Sequence, residues 1–245
     1  MQHIRPKTTE WFTYFPEDYR WSAAIGGMLG LAVVGASDMG EIDRTARKLK
    51  NKLGDDEAWF FTWQELGDEL KQKADDCRNR GHTISASVFY LRASCYYQWG
   101  ERFRTVKDDH ALNVYRKSVE CFHEHAQLSI SPKIEIVEVP YEGNFLPGYF
   151  VHAENTNKSK NPTMIFFDGL DITKELQYAR GVPELIKRGF SCLVMDGPGT
   201  GEAIRFRGMF LRPDYEVAGS ACVDYLETRE DVDKNRIGIM AVSLG

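Results

Sequence analysis

Several things this chain lacks narrow its reading before any motif does. Cysteine is scarce and scattered: Cys77, Cys95, Cys121, Cys192 and Cys222 are odd in number and show no C-x-x-C spacing, which argues against a disulfide framework and a zinc site. Buried thiols in a reducing compartment are expected instead, and with them a cytoplasmic location. An excess of basic charge is also missing. The formal net charge is -5, and no basic stripe is present to neutralise phosphates, so a small-molecule substrate is expected rather than nucleic acid. Long apolar runs are wanting as well. The run Ile25 to Ala36 is about twelve residues, too short to cross a bilayer, and its glycines and alanines suit close helix packing. Arg5, Lys7 and Arg20 are balanced by Glu10, Glu17 and Asp18, so the basic start of a signal peptide is absent and no membrane association is expected.

Metal ligands are not grouped either. His123 and His125 are two apart and fall on different sides of a helix, His82 and His110 sit at helix starts, and His152 lies on a strand. No metal and no cofactor is therefore expected.

What is present divides at about residue 130. Residues 1–130 lack a strand pattern and show helical periodicity from about Met39 to Leu53, Asp56 to Arg80, Thr83 to Phe103 and Asp109 to Leu128, the last with Leu112, Tyr115, Val119 and Phe122 on one face. This predicts an all-helical layer, a cap domain over residues 1–130. Ala86-x-x-x-Tyr90 and Ala93-x-x-x-Tyr97 hint at a helical repeat, but no 34-residue period can be traced. Aromatics are dense here, from Trp59, Phe60, Phe61 and Trp63 to Phe89, Tyr90, Tyr96, Tyr97, Trp99 and Phe103. At helical spacing they are first a core; the second use is the underside of a lid that selects a flat, hydrophobic substrate.

Residues 131–245 change period. Ile134, Ile136 and Val139 alternate with Glu135 and Glu138, and Phe145 to Val151 follows the turn Tyr141-Glu142-Gly143-Asn144, which predicts an antiparallel hairpin at a sheet edge. Thr163 to Phe167 reads as a strand ending in Asp168-Gly169-Leu170-Asp171, with a helix from about Lys174 to Arg188. Asp168 and Asp171 are expected as capping or turn residues rather than as acid and base. Phe190 to Met195 is a further strand, ending in Asp196-Gly197-Pro198-Gly199-Thr200-Gly201-Glu202. That segment lacks both the P-loop lysine spacing and a full G-x-G-x-x-G, so a tight turn at the carboxyl end of a parallel strand is expected rather than a phosphate cradle.

The last elements carry the chemistry. Asp214 to Arg229 places Val217, Ala218, Ala221, Cys222, Tyr225 and Leu226 at helical spacing, Asp231 to Asn235 reads as a polar loop, and Arg236 to Met240 as a strand buried on both faces. Ala241-Val242-Ser243-Leu244-Gly245 follows. A serine is a poor nucleophile until a base takes its proton and a sharp strand-to-helix turn exposes its oxygen, and such a turn admits only small residues two before and two after, here Ala241 and Gly245. Ser243 is thus the candidate nucleophile. In such a site one oxyanion donor is the amide after the nucleophile, Leu244, and the other comes from the loop after the earlier strand, where Leu170 is the candidate beside Gly169. Each donor can be worth about 3 kcal/mol of barrier.

With the helical layer, the hairpin, Asp168-Gly169-Leu170-Asp171-Ile172-Thr173-Lys174-Glu175, Asp196 to Glu202 and Ala241 to Gly245 in order, the chain resembles the FrsA-like α/β-hydrolases. Within them it is similar to the branch containing 2,6-dihydroxypseudooxynicotine hydrolase and a fungal polyketide-shortening pigment hydrolase. The resemblance implies an α/β fold, the N-terminal half of an α/β-hydrolase sheet preceded by an all-helical cap. It also implies Ser243 as nucleophile and cleavage of a C-C bond adjacent to a carbonyl in an aromatic or polyketide-like dicarbonyl substrate. The family's acid and histidine follow the elbow in the chain, so the 245 residues by themselves are expected to lack triad-level activity and to leave a strand edge open to aggregation. Two alternatives stay open: a carboxylesterase using the same serine, and an inactive hydrolase part whose helical half is a binding or homodimerisation module.

Overall fold

The computed structural model describes residues 13–243 and 245. The helical periodicity of the first half becomes α1 (Tyr19–Gly30), α2 (Met39–Ala46), α3 (Asp56–Asn79), α4 (Thr83–Glu101) and α5 (Asp109–Leu128). Four of them start at an aspartate whose carboxylate accepts a first-turn amide: Asp18, Asp38, Asp55 and Asp108. The helix expected from Met39 to Leu53 is shorter, because the chain tightens into a 3-10 turn at Arg47–Leu49. The run Ile25 to Ala36 forms the end of α1 and a second 3-10 turn, Leu31–Val34. No helix among the described residues is long and apolar enough to cross a membrane.

α4 is buried nearly all round because it runs between α3 and α5. Small residues let the backbones approach: a Cβ at Gly67 would lie 2.6 Å from the Tyr97 ring, one at Gly100 3.0 Å from Trp63 Cβ, and Ser94 meets Ser118 at 3.2 Å. Trp59, Phe60, Trp63, Tyr96 and Tyr97 are core residues, as the periodicity predicts, whereas Phe61 is half-exposed.

The second half forms β1 (Ile134–Tyr141), β2 (Asn144–Val151), β3 (Asn161–Phe167), α6 (Lys174–Ile186), β4 (Ser191–Met195), α7 (Gly201–Arg207), α8 (Glu216–Thr228) and β5 (Val232–Ala241). The sheet order is β1-β2-β4-β3-β5, with the hairpin antiparallel and β4, β3 and β5 parallel. Glu142 and Gly143 both take positive φ, 46° and 78°, the geometry of a two-residue hairpin turn. Side chains alternate between two cores. Tyr149, Val151, Phe166, Cys192 and Val194 face α6 and the helical layer, while Phe150, Ile165, Phe167, Leu193 and Met195 face α8.

Three expectations for the strands are corrected. In β1 the residues buried beneath α8 are Val137, Val139 and Tyr141, and Ile136 is exposed, so the face set by Ile134 and Ile136 is not the main one. Residues 231–235 are not a loop: β5 begins at Val232, which pairs with Asn161 across an irregularity in the register. β5 is also not buried on both faces. It lies at the sheet edge among the described residues, and Ile239 and Met240 are exposed.

Candidate active site

β5 delivers the chain to Val242 and Ser243 at the carboxyl end of the sheet. Val242 N-H donates to Phe167 O at 3.3 Å, and Gly245 N-H turns back onto Val242 O at 3.1 Å. Between them Ser243 takes φ +60°, a conformation that an L-residue adopts only where its surroundings enforce it. The reason for Gly245 is steric: a Cβ there would stand 2.8 Å from Asp168 O and 2.9 Å from Phe167 O, so the turn sits directly on the end of β3. Gly169 meets the same turn from the other side, since its Cβ would lie 2.8 Å from Ser243 Cβ and 3.1 Å from Ser243 Oγ. The expected oxyanion loop and the expected nucleophile are therefore in contact.

The loop between β3 and α6 is held at several points. Asp168 Oδ1 accepts from Gly169 N-H at 2.7 Å, Asp168 Oδ2 pairs with Arg180 at 3.0 Å, and Ile172 N-H closes a turn onto Gly169 O. Burial pushes the Asp168 carboxyl up, against Gly169 N-H and the Arg180 guanidinium, which favour its charge. Asp171 pairs with Arg102 at 3.0 Å, and its carbonyl accepts from Gln98 Nε2 at 3.1 Å. Both aspartates thus lie in the turn before α6, as expected, but neither caps that helix, whose N-cap is Thr173; each is held by an ion pair instead. Among the described residues the Leu170 N-H has no acceptor, while its side chain is largely exposed. Leu244 lies outside the described residues.

Ser243, Leu170 and Gly169 line one cavity of about 350 Å³. Its opposite wall comes from the helical layer: Ala23, Gly27 and Leu31 of the first helical segment, and Trp99 with Arg102 from the end of α4. The Arg102 guanidinium lies 5.1 Å from the centroid of the Trp99 ring. Sequence periodicity placed Trp99 among aromatics expected first as core and second as the underside of a lid, and gave α1 no place at the site; the Gly27 approach to Trp99, where a Cβ would clash at 2.7 Å, is the signal that the glycine-rich run held. A larger hollow of about 460 Å³ between the hairpin and α8, lined by Tyr141, Ala221 and Tyr225 among others, contains none of these loop residues. Among the described residues no group of three or more His, Cys, Asp or Glu side chains could hold a metal ion.

A family model described as esterase FrsA-like matches residues 38–245. The chain belongs to the FrsA-like family. Its fold is that of the α/β hydrolases, with a helical N-terminal part. It is 30% identical over 227 residues to hydrolase LUC6 of a Fusarium species, across 89% of this chain and 54% of that protein. To 20-hydroxy-prefusarin hydrolase FUS2 of Gibberella moniliformis it is 27% identical over 227 residues, with the same coverage of 89% and 54%. The crystal structure of 2,6-dihydroxy-pseudo-oxynicotine hydrolase superposes with a TM-score of 0.71 at 25% identity, covering 87% of this chain and 57% of that one. The FrsA-like chain spans little more than half the length of the curated relatives it matches.

Beside the cavity lies a group of charges that the sequence did not disclose. Lys174, Glu175 and Asp196 are buried almost completely, and Glu202 is mostly buried, although each would be expected on the surface from residue type alone. Burial would raise the Glu202 carboxyl, but Lys174 and Arg207 hold it down at about 2; Glu135 is likewise held at about 2, against burial, by Lys133, His152 and Arg229. A carboxyl depressed in the folded state contributes stability that is complete above its unfolded value, about 4.3, and is lost as the pH falls through the folded one. Melting temperature should therefore drop between about pH 4.3 and 2. Thermal melts followed by circular dichroism across that window check this, and Glu202→Gln should melt lower at neutral pH and show a shallower acid slope.

Proposed function

We propose that the protein is a serine-nucleophile hydrolase that cleaves a C-C bond adjacent to a carbonyl in an aromatic or polyketide-like dicarbonyl substrate. The observation that carries this reading is Ser243 at φ +60°, at the tip of the turn after β5, opening into a cavity it shares with the loop 169–172. That is where a strained strand-to-helix turn presents a nucleophile.

In this reading Ser243 Oγ attacks the carbonyl carbon, and the amides of Leu170 and Leu244 stabilise the oxyanion. Collapse of the tetrahedral intermediate breaks the C-C bond. The electron pair leaves as an enolate stabilised by the substrate's second carbonyl or ring, and takes a proton to give a ketone or arene. Water then releases the acyl group from Ser243 as a carboxylic acid. Removal of the serine proton needs a base, and among the described residues no histidine lines the cavity. The volume and the Trp99 face suit a flat, largely apolar substrate of modest size.

A second reading, ester hydrolysis by the same serine, is favoured by the description of the matching family as an esterase. An elbow and an oxyanion hole accept a ketone or an ester carbonyl alike. Incubating the full-length protein with a matched pair, an aryl 1,3-diketone and the ester of the same acyl group, separates the two by product analysis. Carboxylic acid and ketone from the diketone are expected, and ester turnover with the diketone left intact would overturn the first reading.

A further inference from the structure

The two turns at the carboxyl ends of β3 and β4 are joined by buried charge. Asp196 Oδ1 accepts from Lys174 N-H and Asp196 Oδ2 from Glu202 N-H, each at 2.8 Å, so one carboxylate receives first-turn amides of both α6 and α7. Lys174 Nζ reaches back to Asp196 Oδ2 at 3.1 Å, to Glu175 Oε1 at 2.8 Å and to Glu202 Oε2 at 2.9 Å. Glu175 is completed by Tyr149 Oη at 2.7 Å and Thr173 Oγ1 at 2.5 Å. Tyr115 of α5 lies within 3.5 Å of both Glu175 and Asp196, so the helical layer also enters the cluster.

The packing leaves this arrangement no slack. Gly201, at φ +43°, is a glycine because a Cβ would fall 2.1 Å from the Asp196 carboxyl carbon. Without Lys174 the Glu175 and Asp196 carboxylates would be an uncompensated buried charge, Glu202 alone keeping a second cation in Arg207 at 2.9 Å, and breaking such a group costs far more than the loss of a surface ion pair. A cluster this demanding sits one residue beyond Thr173, where the loop 169–173 enters α6. At its other end the loop is fixed by β3, and at its middle by Gln98 on Asp171 O.

We infer that Lys174 is a positioning residue: with Glu175 and Asp196 it anchors the far end of the loop 169–173, and so sets where the Leu170 amide stands relative to Ser243. The inference rests on reading that loop as half of the oxyanion hole. A donor displaced by about 1 Å through a change remote from the chemistry can cost on the order of 100-fold in rate.

Lys174→Met in the full-length protein keeps the side-chain bulk and removes the cation. It is expected to lower kcat by about 100-fold with KM nearly unchanged, and to speed amide hydrogen exchange in residues 168–178 while α3 and α4 keep wild-type protection. Should Lys174→Met fail to fold, Tyr149→Phe removes one donor to Glu175 and leaves the lysine in place; a smaller fall in kcat and a local rise in exchange over the same residues are expected. Unchanged exchange in 168–178, or unchanged kcat per folded molecule, in the variant that folds would overturn the inference. Hydrogen exchange also separates the two claims: turnover surviving in Ser243→Ala would remove the catalytic reading, while loosening of the loop in Lys174→Met would still uphold the anchor.

Discussion

Replacing Ser243 with alanine in the full-length protein is expected to lower kcat by roughly 10⁴ to 10⁶-fold, the range seen when a serine nucleophile is removed from an assembled triad. KM should stay close to wild type, because the hydroxyl joins the substrate only as the reaction proceeds. Stability should barely change, since alanine at φ +60° suffers the same backbone cost as serine. Ser243→Gly makes the sharper comparison. Glycine has no Cβ to strain at that angle, so this variant should be equally inactive yet more stable by about 1 kcal/mol. Steady-state kinetics and urea denaturation on the two variants measure both effects. Activity of Ser243→Ala within tenfold of wild type would rule out the nucleophile, and a Ser243→Gly protein no more stable than Ser243→Ala would mean that the turn carries no strain.

Gly169→Ala is expected to be the next most damaging change for turnover. Its methyl would lie 2.8 Å from Ser243 Cβ, 3.1 Å from Oγ and 3.4 Å from Val242 O, so either the elbow or the loop must retreat. Neither can do so freely, because Gly245 already holds the elbow on Asp168 O and Phe167 O, and Asp171 is fixed by Arg102 and Gln98. A loss in kcat of about 100-fold follows from a shift on the order of 1 Å between nucleophile and donor, with about 1–3 kcal/mol of stability lost to overpacking. Kinetics with both substrates of the matched pair, together with a denaturation curve, test this. Wild-type kcat in a folded Gly169→Ala protein would show that the contact between the two turns is not needed for the reaction.

α3, α4 and α5 were legible to within a few residues because their signals are local, whereas α1 was not assigned as a helix and α2 stops at Ala46, short of Leu53. Asp55 and Asp108 cap α3 and α5, and Gly81 at φ +77° ends the α3 region, so the sequence marks both start and stop. The turns that build the site were equally readable at two positions, since glycine at 169 and 245 is required by close approach, whereas Ala241 is exposed. What could not be read depends on partners distant in sequence. The apolar run Arg236 to Met240 has the composition of an inner strand, and only the sheet order tells that β5 has one neighbour among the described residues. The polar run before it looks like a loop until Val232 is seen against Asn161. The burial of Lys174, Glu175 and Asp196 could not be read because it depends on distant partners: Asp196 lies 22 residues from Lys174 and Tyr149 lies 26 from Glu175. For Trp99 the sequence offered both uses, core and lid underside, but which aromatic of that set faces the cavity depends on how α4 lies against the loop 169–172.

The strand order has a consequence for how the chain comes together as it is made. α3, α4 and α5 pack on their immediate successors, and the β1–β2 hairpin closes over a two-residue turn, so each can form soon after its own residues leave the ribosome. β3 cannot follow suit. Its neighbours are β4 and β5, both later in the chain, and the hairpin's open edge on β2 also waits for β4. Until Ser191–Met195 is synthesised, β3 and the hairpin have no shared sheet to join; once it is, one short strand closes both gaps at once. β4 is therefore the step at which assembly changes from piecewise to cooperative, and the turn that follows it, carrying Asp196, is the first point at which the site could begin to take shape.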